Sequence, residues 1–198
     1  GQSPLQVAVK VGNLTIAQYL IDKGADVNYM EPDNGLSALG CYRCPVLIDA
    51  IKGLFFMWEE KREDYMQLIW RLLELGANPN KTDNRGNNSW DVAVNMYGDF
   101  IKTIKETKNQ KIFTEMTKEL LDVLMKYNID ILNLDRITKD LSLFKSYSLF
   151  LQNLILNRDG LFGCDEKEIE NWNERWSLIA SVIKPYYEKN NPYYQNMG

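Results

Sequence analysis

Cys41 and Cys44, in the stretch Gly40-Cys41-Tyr42-Arg43-Cys44-Pro45, stand at the two-residue spacing that metal sites and thiol redox sites share. A closed structural zinc site needs four Cys or His ligands. This chain has three cysteines and no histidine, and Cys164 lies far from the pair in sequence. A redox pair needs a thiolate stabilised at a helix N-terminus in a βαβ setting. Pro45 opens an apolar segment that can begin a helix, but no βαβ pattern surrounds it. The reading adopted is two small residues in a connecting turn, with no metal and no cofactor. A thiol redox or metal-linked role is retained as an alternative function.

The lack of histidine removes Ser-His-Asp and Cys-His arrangements, the HExxH site and the usual base near neutral pH. Gly12, Gly24 and Gly86 do not form a glycine-rich loop with lysine at phosphate-loop spacing. The run Glu59 to Asp64 mixes both signs of charge and reads as a solvated helix end rather than a metal cage. The triplets Asn13-Leu14-Thr15 and Asn87-Asn88-Ser89 match a glycosylation pattern, but both fall at turns. No catalytic residue is assigned, and the protein is read as a non-enzyme.

The elements that must position any site are those of one ordinary globular chain of 198 residues, 45% hydrophobic and 25% charged. A net charge of -4 does not suit phosphate neutralisation, so no nucleic-acid partner is expected and a protein partner of basic character fits better. No apolar run reaches the roughly 20 residues that span a bilayer. The first residue is Gly1 and nothing signal-like follows it, so an N-terminal targeting segment is expected to have been removed. The expected location is the cytoplasm or the interior of a host cell. The excess of Lys over Arg and the many Asn residues suggest an AT-rich, bacterial source.

Leu20-Ile21-Asp22-Lys23-Gly24-Ala25-Asp26-Val27-Asn28 recurs as Leu72-Leu73-Glu74-Leu75-Gly76-Ala77-Asn78-Pro79-Asn80, and more loosely as Leu124 to Ile131. The landmarks Gly24, Gly76 and Asn128 are 52 residues apart each time. Each marks a helix end, where Gly or Asn adopts the left-handed cap conformation and the chain turns outward. Ser3-Pro4-Leu5 supplies a helix start with a capping hydroxyl and a first-turn proline, and Asn88-Ser89-Trp90 repeats the layout after the turn-forming Asp83-Asn84-Arg85-Gly86. Val7, Ala8, Leu14, Ile16, Tyr19 and Leu20 fall at helical spacing in two helices broken by Gly12-Asn13. The unit is helix, short turn, helix, projecting turn.

Residues Gly1-Gln2-Ser3-Pro4-Leu5-Gln6-Val7-Ala8-Val9, through Gly12-Asn13-Leu14 to Gly24-Ala25-Asp26-Val27-Asn28, resemble an ankyrin repeat without a gap. The family pattern runs from G-x-T-P-L-H-x-A to G-A-D-V-N. Two further units resemble it more distantly, through Leu47, Ala50 and Gly76 to Asn80, and through Gly86, Trp90, Ala93 and Asn128. The family histidine is replaced by Gln6, Ile48 and Asp91, so its hydrogen bonds to the neighbouring turn must be made otherwise or lost. The resemblance implies an all-α ankyrin-like solenoid that binds a macromolecular partner through its projecting turns and the exposed side of its first helices. Carried over by position, the contact candidates are Gln2, Lys10 and Val11 in the first unit and Tyr29, Met30 and Glu31 in the first projecting turn. Asn84, Arg85, Asn87, Asn95 and Met96 are the candidates in the third unit. Tyr29, Met30 and Arg85 are the expected energetic anchors.

By the same landmarks the second and third units carry about 10 and 19 extra residues between their helices. The first insertion includes Leu54-Phe55-Phe56-Met57-Trp58, and the second Phe100, Ile101, Ile104, Ile112 and Phe113. Insertions of stacked units emerge on one side, so extended helices are expected to bury these faces on each other rather than display them. The organisation expected is repeats over 1–134 (about 1–30, 31–82 and 83–134), a C-terminal helical cap over 135–188 and a flexible tail over 189–198. Within the cap, Ile169, Trp172, Trp176, Ile179 and Ile183 line one helical face. A dedicated inhibitor or immunity protein that neutralises a basic effector or toxin is a narrower alternative.

Overall fold

The computed structural model describes residues 2–30 and 43–130, together with residues 140, 142, 143, 145–147, 149 and 150. Glu31, Cys41, Cys164, the tail and all but a few residues of the expected cap lie outside the described residues. Among the described residues the structure is helical and has no strand. The helices are α1 (Pro4–Lys10), α2 (Leu14–Asp22), α3 (Val46–Phe56), α4 (Arg62–Glu74), α5 (Ser89–Phe100) and α6 (Thr107–Lys126).

The helix ends arise locally. Ser3 Oγ accepts the Gln6 N–H at 3.2 Å and Gln6 Oε1 accepts the Ser3 N–H at 3.0 Å, closing a capping box around Pro4. Asn88 and Asp91 form the same box at the start of α5. Gly24 and Gly76, with φ of 80° and 87°, and Asn128, with φ of 57°, end α2, α4 and α6 in the left-handed conformation. In each case the following N–H reaches back five residues, Ala25 to Leu20 at 3.0 Å, Ala77 to Leu72 at 2.9 Å and Ile129 to Leu124 at 3.3 Å. These bonds satisfy carbonyls that a helix end would otherwise leave open.

The caps are also tied to one another. Asn28 Nδ2 donates to Gly76 O at 2.7 Å while Asn28 Oδ1 accepts the Asn78 N–H at 2.9 Å. Asn80 repeats this one unit on, donating to Asn128 O at 2.8 Å and accepting the Asp130 N–H at 2.6 Å. A single side-chain amide thus pairs a donor and an acceptor of the next turn, which sets the spacing of successive helix pairs.

Packing turns three local pairs into one body. The first helices α1, α3 and α5 lie side by side, with α3 against both neighbours, and α2, α4 and α6 pack behind them. Val46, Ile48, Ala50, Ile51, Leu54, Phe55, Ala93 and Val94 are completely buried in or beside this core. Gly53 permits the close approach of α4 to α3, since a Cβ there would lie 2.2 Å from the Tyr65 ring. The Tyr65 hydroxyl then donates to Val9 O at 3.2 Å, linking α4 to α1.

The three positions of the replaced histidine follow three different solutions. Gln6 Nε2 crosses to Cys44 O at 2.8 Å and so preserves a bond to the next unit. Ile48 exchanges the bond for packing on Cys44 and Val92. Asp91 serves its own helix, accepting the Asn88 N–H at 3.0 Å, while Asn88 Nδ2 reaches Asp130 O at 2.7 Å.

The inserted residues lengthen helices, as their placement between the paired helices predicts. α3 has 11 residues and α6 has 20, against 7 in α1. Phe113 of α6 is fully buried among Phe55, Trp58 and Tyr97, at ring-centroid distances of 5.4, 5.4 and 5.7 Å. The two insertions therefore pack on each other, with Phe56 alone of the Leu54-Phe55-Phe56 run turned outward. Beyond α6, the described residues from 142 to 150 are helical, and Tyr147 and Phe150 close over Trp90 of the third unit.

Candidate functional site

A groove of about 390 Å3 opens where the end of α1 meets the outer half of α3. Its walls include Lys10 and Val11 from the first unit, Asp49, Lys52 and Phe56 from α3, and Met57 just beyond. Aligning Leu5, Leu47 and Trp90 places Val7, Asp49 and Val92 in one row across the first helices, and Lys10, Lys52 and Asn95 in the next. Asp49 therefore carries a carboxylate where the other two units carry valine. Its side chain is only 2% exposed.

The carboxylate organises what surrounds it. Oδ1 accepts the Cys44 thiol at 2.8 Å, and Oδ2 lies 3.7 Å from Lys10 Nζ, an ion pair longer than a hydrogen bond. Lys52 Nζ reaches Cys44 Sγ at 3.6 Å. Burial pushes the Asp49 carboxyl up, opposed by its bond from Cys44 and by the two lysines. The buried Asp49 carboxylate thus holds Lys10, whose side chain is 29% exposed, at the groove.

Burial, with Asp49 adding to it, raises the Cys44 thiol from 9.0 to about 12. This is the reverse of the low pKa that a redox or nucleophilic thiol requires. Because the folded value lies above the unfolded one, the thiol stabilises the fold below about pH 9, and that contribution is lost as the pH rises from 9 toward 12. At pH 8 the native thiolate fraction at Cys44 should be lower than that of a free cysteine by about a thousandfold. Alkylation by iodoacetamide, followed by peptide mass mapping, should leave Cys44 unmodified in the native protein and modify it fully in denaturant. Rapid native labelling would show that this burial is wrong. Among the described residues no three Cys, Asp or Glu side chains form a group that could hold a metal ion.

The structure brings Lys10 and Val11 of the sequence-derived candidates together at this groove. Tyr29 and Met30 are half-buried in the first projecting turn, and Gln2 is exposed at the start of the chain. Asn84 and Arg85 are exposed and Asn87 half-buried in a second projecting turn, which Asp83 shapes by accepting the N–H groups of Arg85 and Asn87 at 2.8 and 3.0 Å. Asn95 and Met96 are half-buried on α5. Asn95 Oδ1 is buried, and Met96 packs on Cys44, Ile48 and Val92. The exposed first-helix face thus narrows toward α5, because the longer α5 is more deeply packed than α1.

Asp49, Lys52 and Phe56 complete the groove, yet the motif reading passed over the first two. The available signal was a lone acid in the apolar Val46-Leu47-Ile48-Asp49-Ala50-Ile51, at a position that is valine in the other two units. No helix among the described residues is long and apolar enough to cross a membrane. No curated protein matches the chain. Residues 1–31 match the family model of the ankyrin repeat, so α1, α2 and the turn after them are similar to an ankyrin repeat, and the described residues that follow are helical as well.

Proposed function

We propose that the protein is an interaction module that binds another protein through its projecting turns and the open side of its first helices. The observation that carries this reading is the exposure of Val11 and Phe56, 71% and 65%, on a groove formed by helices of two successive units. Large apolar side chains around a concavity suit a partner's surface, and a stiff stack of helix pairs offers them at little ordering cost. The turns bearing Tyr29 and Arg85 project beside that face and add the residue types that concentrate binding energy.

Neutralisation of a basic effector rests only on the net charge of -4, which favours a basic partner by long-range attraction. Nothing at the groove favours it. Tyr29→Ala and Arg85→Ala should each weaken binding to a partner isolated on the immobilised protein by about tenfold, with the melting temperature within a degree or two of the parent. Affinity unchanged in both variants would remove the turns from the interface.

A further inference from the structure

We propose that the open face of α1 and α2 is a stacking surface for one further helix pair of the chain's own kind, joined ahead of Gly1 and carrying an asparagine in its projecting turn. This goes beyond the interaction-module reading and does not depend on it.

The ladder of asparagines that ties the units together has a vacant first rung. Asn28 engages Gly76 O and the Asn78 N–H, and Asn80 engages Asn128 O and the Asp130 N–H. One recurrence of 52 residues earlier, the corresponding groups are Gly24 O and the Asp26 N–H. Neither has a partner among the described residues. The turn already has the shape that the next one uses, since Asp26 Oδ1 accepts the Asn28 N–H at 2.8 Å as Asn78 Oδ1 accepts the Asn80 N–H at 2.9 Å. A carbonyl and an N–H in this register match a single carboxamide, which both donates and accepts.

Apolar side chains tell the same story. Ile16 of α2 is 48% exposed, whereas its counterparts Leu68 and Leu120 are 4% and 0% exposed. Leu20 is half-buried, and its counterparts Leu72 and Leu124 are completely buried. Val7 of α1 is 46% exposed, while its counterpart Val92 packs on Ile48 of the preceding first helix. Asp49, at the same position in the second unit, pairs with Lys10 of the helix before it. Positions that later units bury against the unit before them therefore stand open in the first.

The direction of stacking identifies the occupant. Each asparagine reaches the unit that follows it, so the unit that would fill the vacant rung is one that precedes α1. Ser3 caps α1 as Asn88 caps α5, so a segment entering through Gly1 reaches the open face by the route that runs from Asn80 to Asn88. A second copy of the chain offers no free asparagine in this register. Its Asn28 and Asn80 are engaged within its own stack, and the next residue in the series is Leu132.

The test compares the full chain with a version extended ahead of Gly1 by a copy of residues 3–28 followed by a copy of residues 81–85. Gly1-Gln2-Ser3 aligns with Gly86-Asn87-Asn88, so this junction rebuilds the natural turn. The extended protein should gain helical ellipticity and melt at least about 5 °C higher. Asn28→Ala in the added copy alone should remove at least about 3 °C of that rise. Ile16→Glu in the chain's own first unit should shift the melting temperature of the unextended protein by no more than about 2 °C, and lower that of the extended one by at least about 5 °C. Peptide mapping of the protein taken from the cells that make it should find sequence running into Gly1 from an asparagine-bearing turn.

No added helix, no rise in melting temperature, an added asparagine that alanine replaces without effect, or an equal cost of Ile16→Glu in both versions would each overturn the proposal. So would a native N-terminus at Gly1, or a dimer of the unextended chain in sedimentation that Ile16→Glu dissociates, which would name a second copy as the occupant. Loss or retention of partner capture in Tyr29→Ala and Arg85→Ala bears on the module reading alone.

Discussion

Phe113→Ala is expected to destabilise the protein by about 3–5 kcal/mol, the range for removing a fully buried phenylalanine. The ring is 0% exposed and lies at the point where the two lengthened units meet. Phe55 and Trp58 approach it edge-on from the α3 side, Tyr97 stacks on it from α5, and Phe100 lies 6.4 Å away. Removal leaves a cavity that the four rings cannot close together, since two are held from the α3 side and two from α5, so the loss exceeds the transfer term of the side chain alone. Chemical denaturation, followed by circular dichroism, measures it. Phe56→Ala is the matched control. That ring is 65% exposed, with one edge-on contact to Phe100 at 5.4 Å, and its loss should cost less than about 1 kcal/mol. Equal losses for the two variants would show that the insertions do not pack as described.

Trp90→Ala is expected to cost a similar amount, about 3–5 kcal/mol, for a different reason. Trp90 is 1% exposed and occupies the position of Leu5 and Leu47 in the preceding units. Beyond the third unit no further pair continues the row among the described residues, and the larger indole reaches the helical residues after α6 instead. Tyr147 and Phe150 meet it at 6.3 and 5.5 Å in edge-on contacts. An apolar face of a stacked unit must be covered, and Tyr147 and Phe150 cover Trp90 in this way. Trp90→Leu restores the residue that the other units use while omitting the reach to Tyr147 and Phe150. It should recover part of the loss and leave a deficit of about 1–3 kcal/mol. Full recovery by leucine would mean that the contact beyond α6 contributes nothing.

Both effects depend on partners distant in sequence, and this separates what was legible in the chain from what was not. Helix ends were legible because their causes are local. Ser3 with Gln6, Asn88 with Asp91, and Gly24, Gly76 and Asn128 each act within a few residues, so the 52-residue recurrence and the ankyrin-like first unit followed directly. The expectation that the inserted apolar segments bury one another also follows from stacking, because neighbouring units place their insertions on the same side.

Tertiary structure decided the side each residue faces. Phe55 and Phe56 are adjacent and identical in type, yet one is 0% exposed and the other 65%, because only Phe55 points toward Phe113 of a helix more than fifty residues away. Asp49 reads in sequence as an isolated acid on a helix. Only packing against the preceding turn and α1 buries it, which raises its carboxyl, and sets Cys44 and Lys10 against it to oppose that rise. Asn95 and Met96 match the positions of Lys10 and Val11, but α5 packs more deeply and leaves both half-buried. The sequence by itself determined where helices begin, end and repeat, since capping and periodicity act over a few residues. The groove and the state of Cys44 came only from successive units packing together, since burial and electrostatic neighbourhood are properties of the assembled chain.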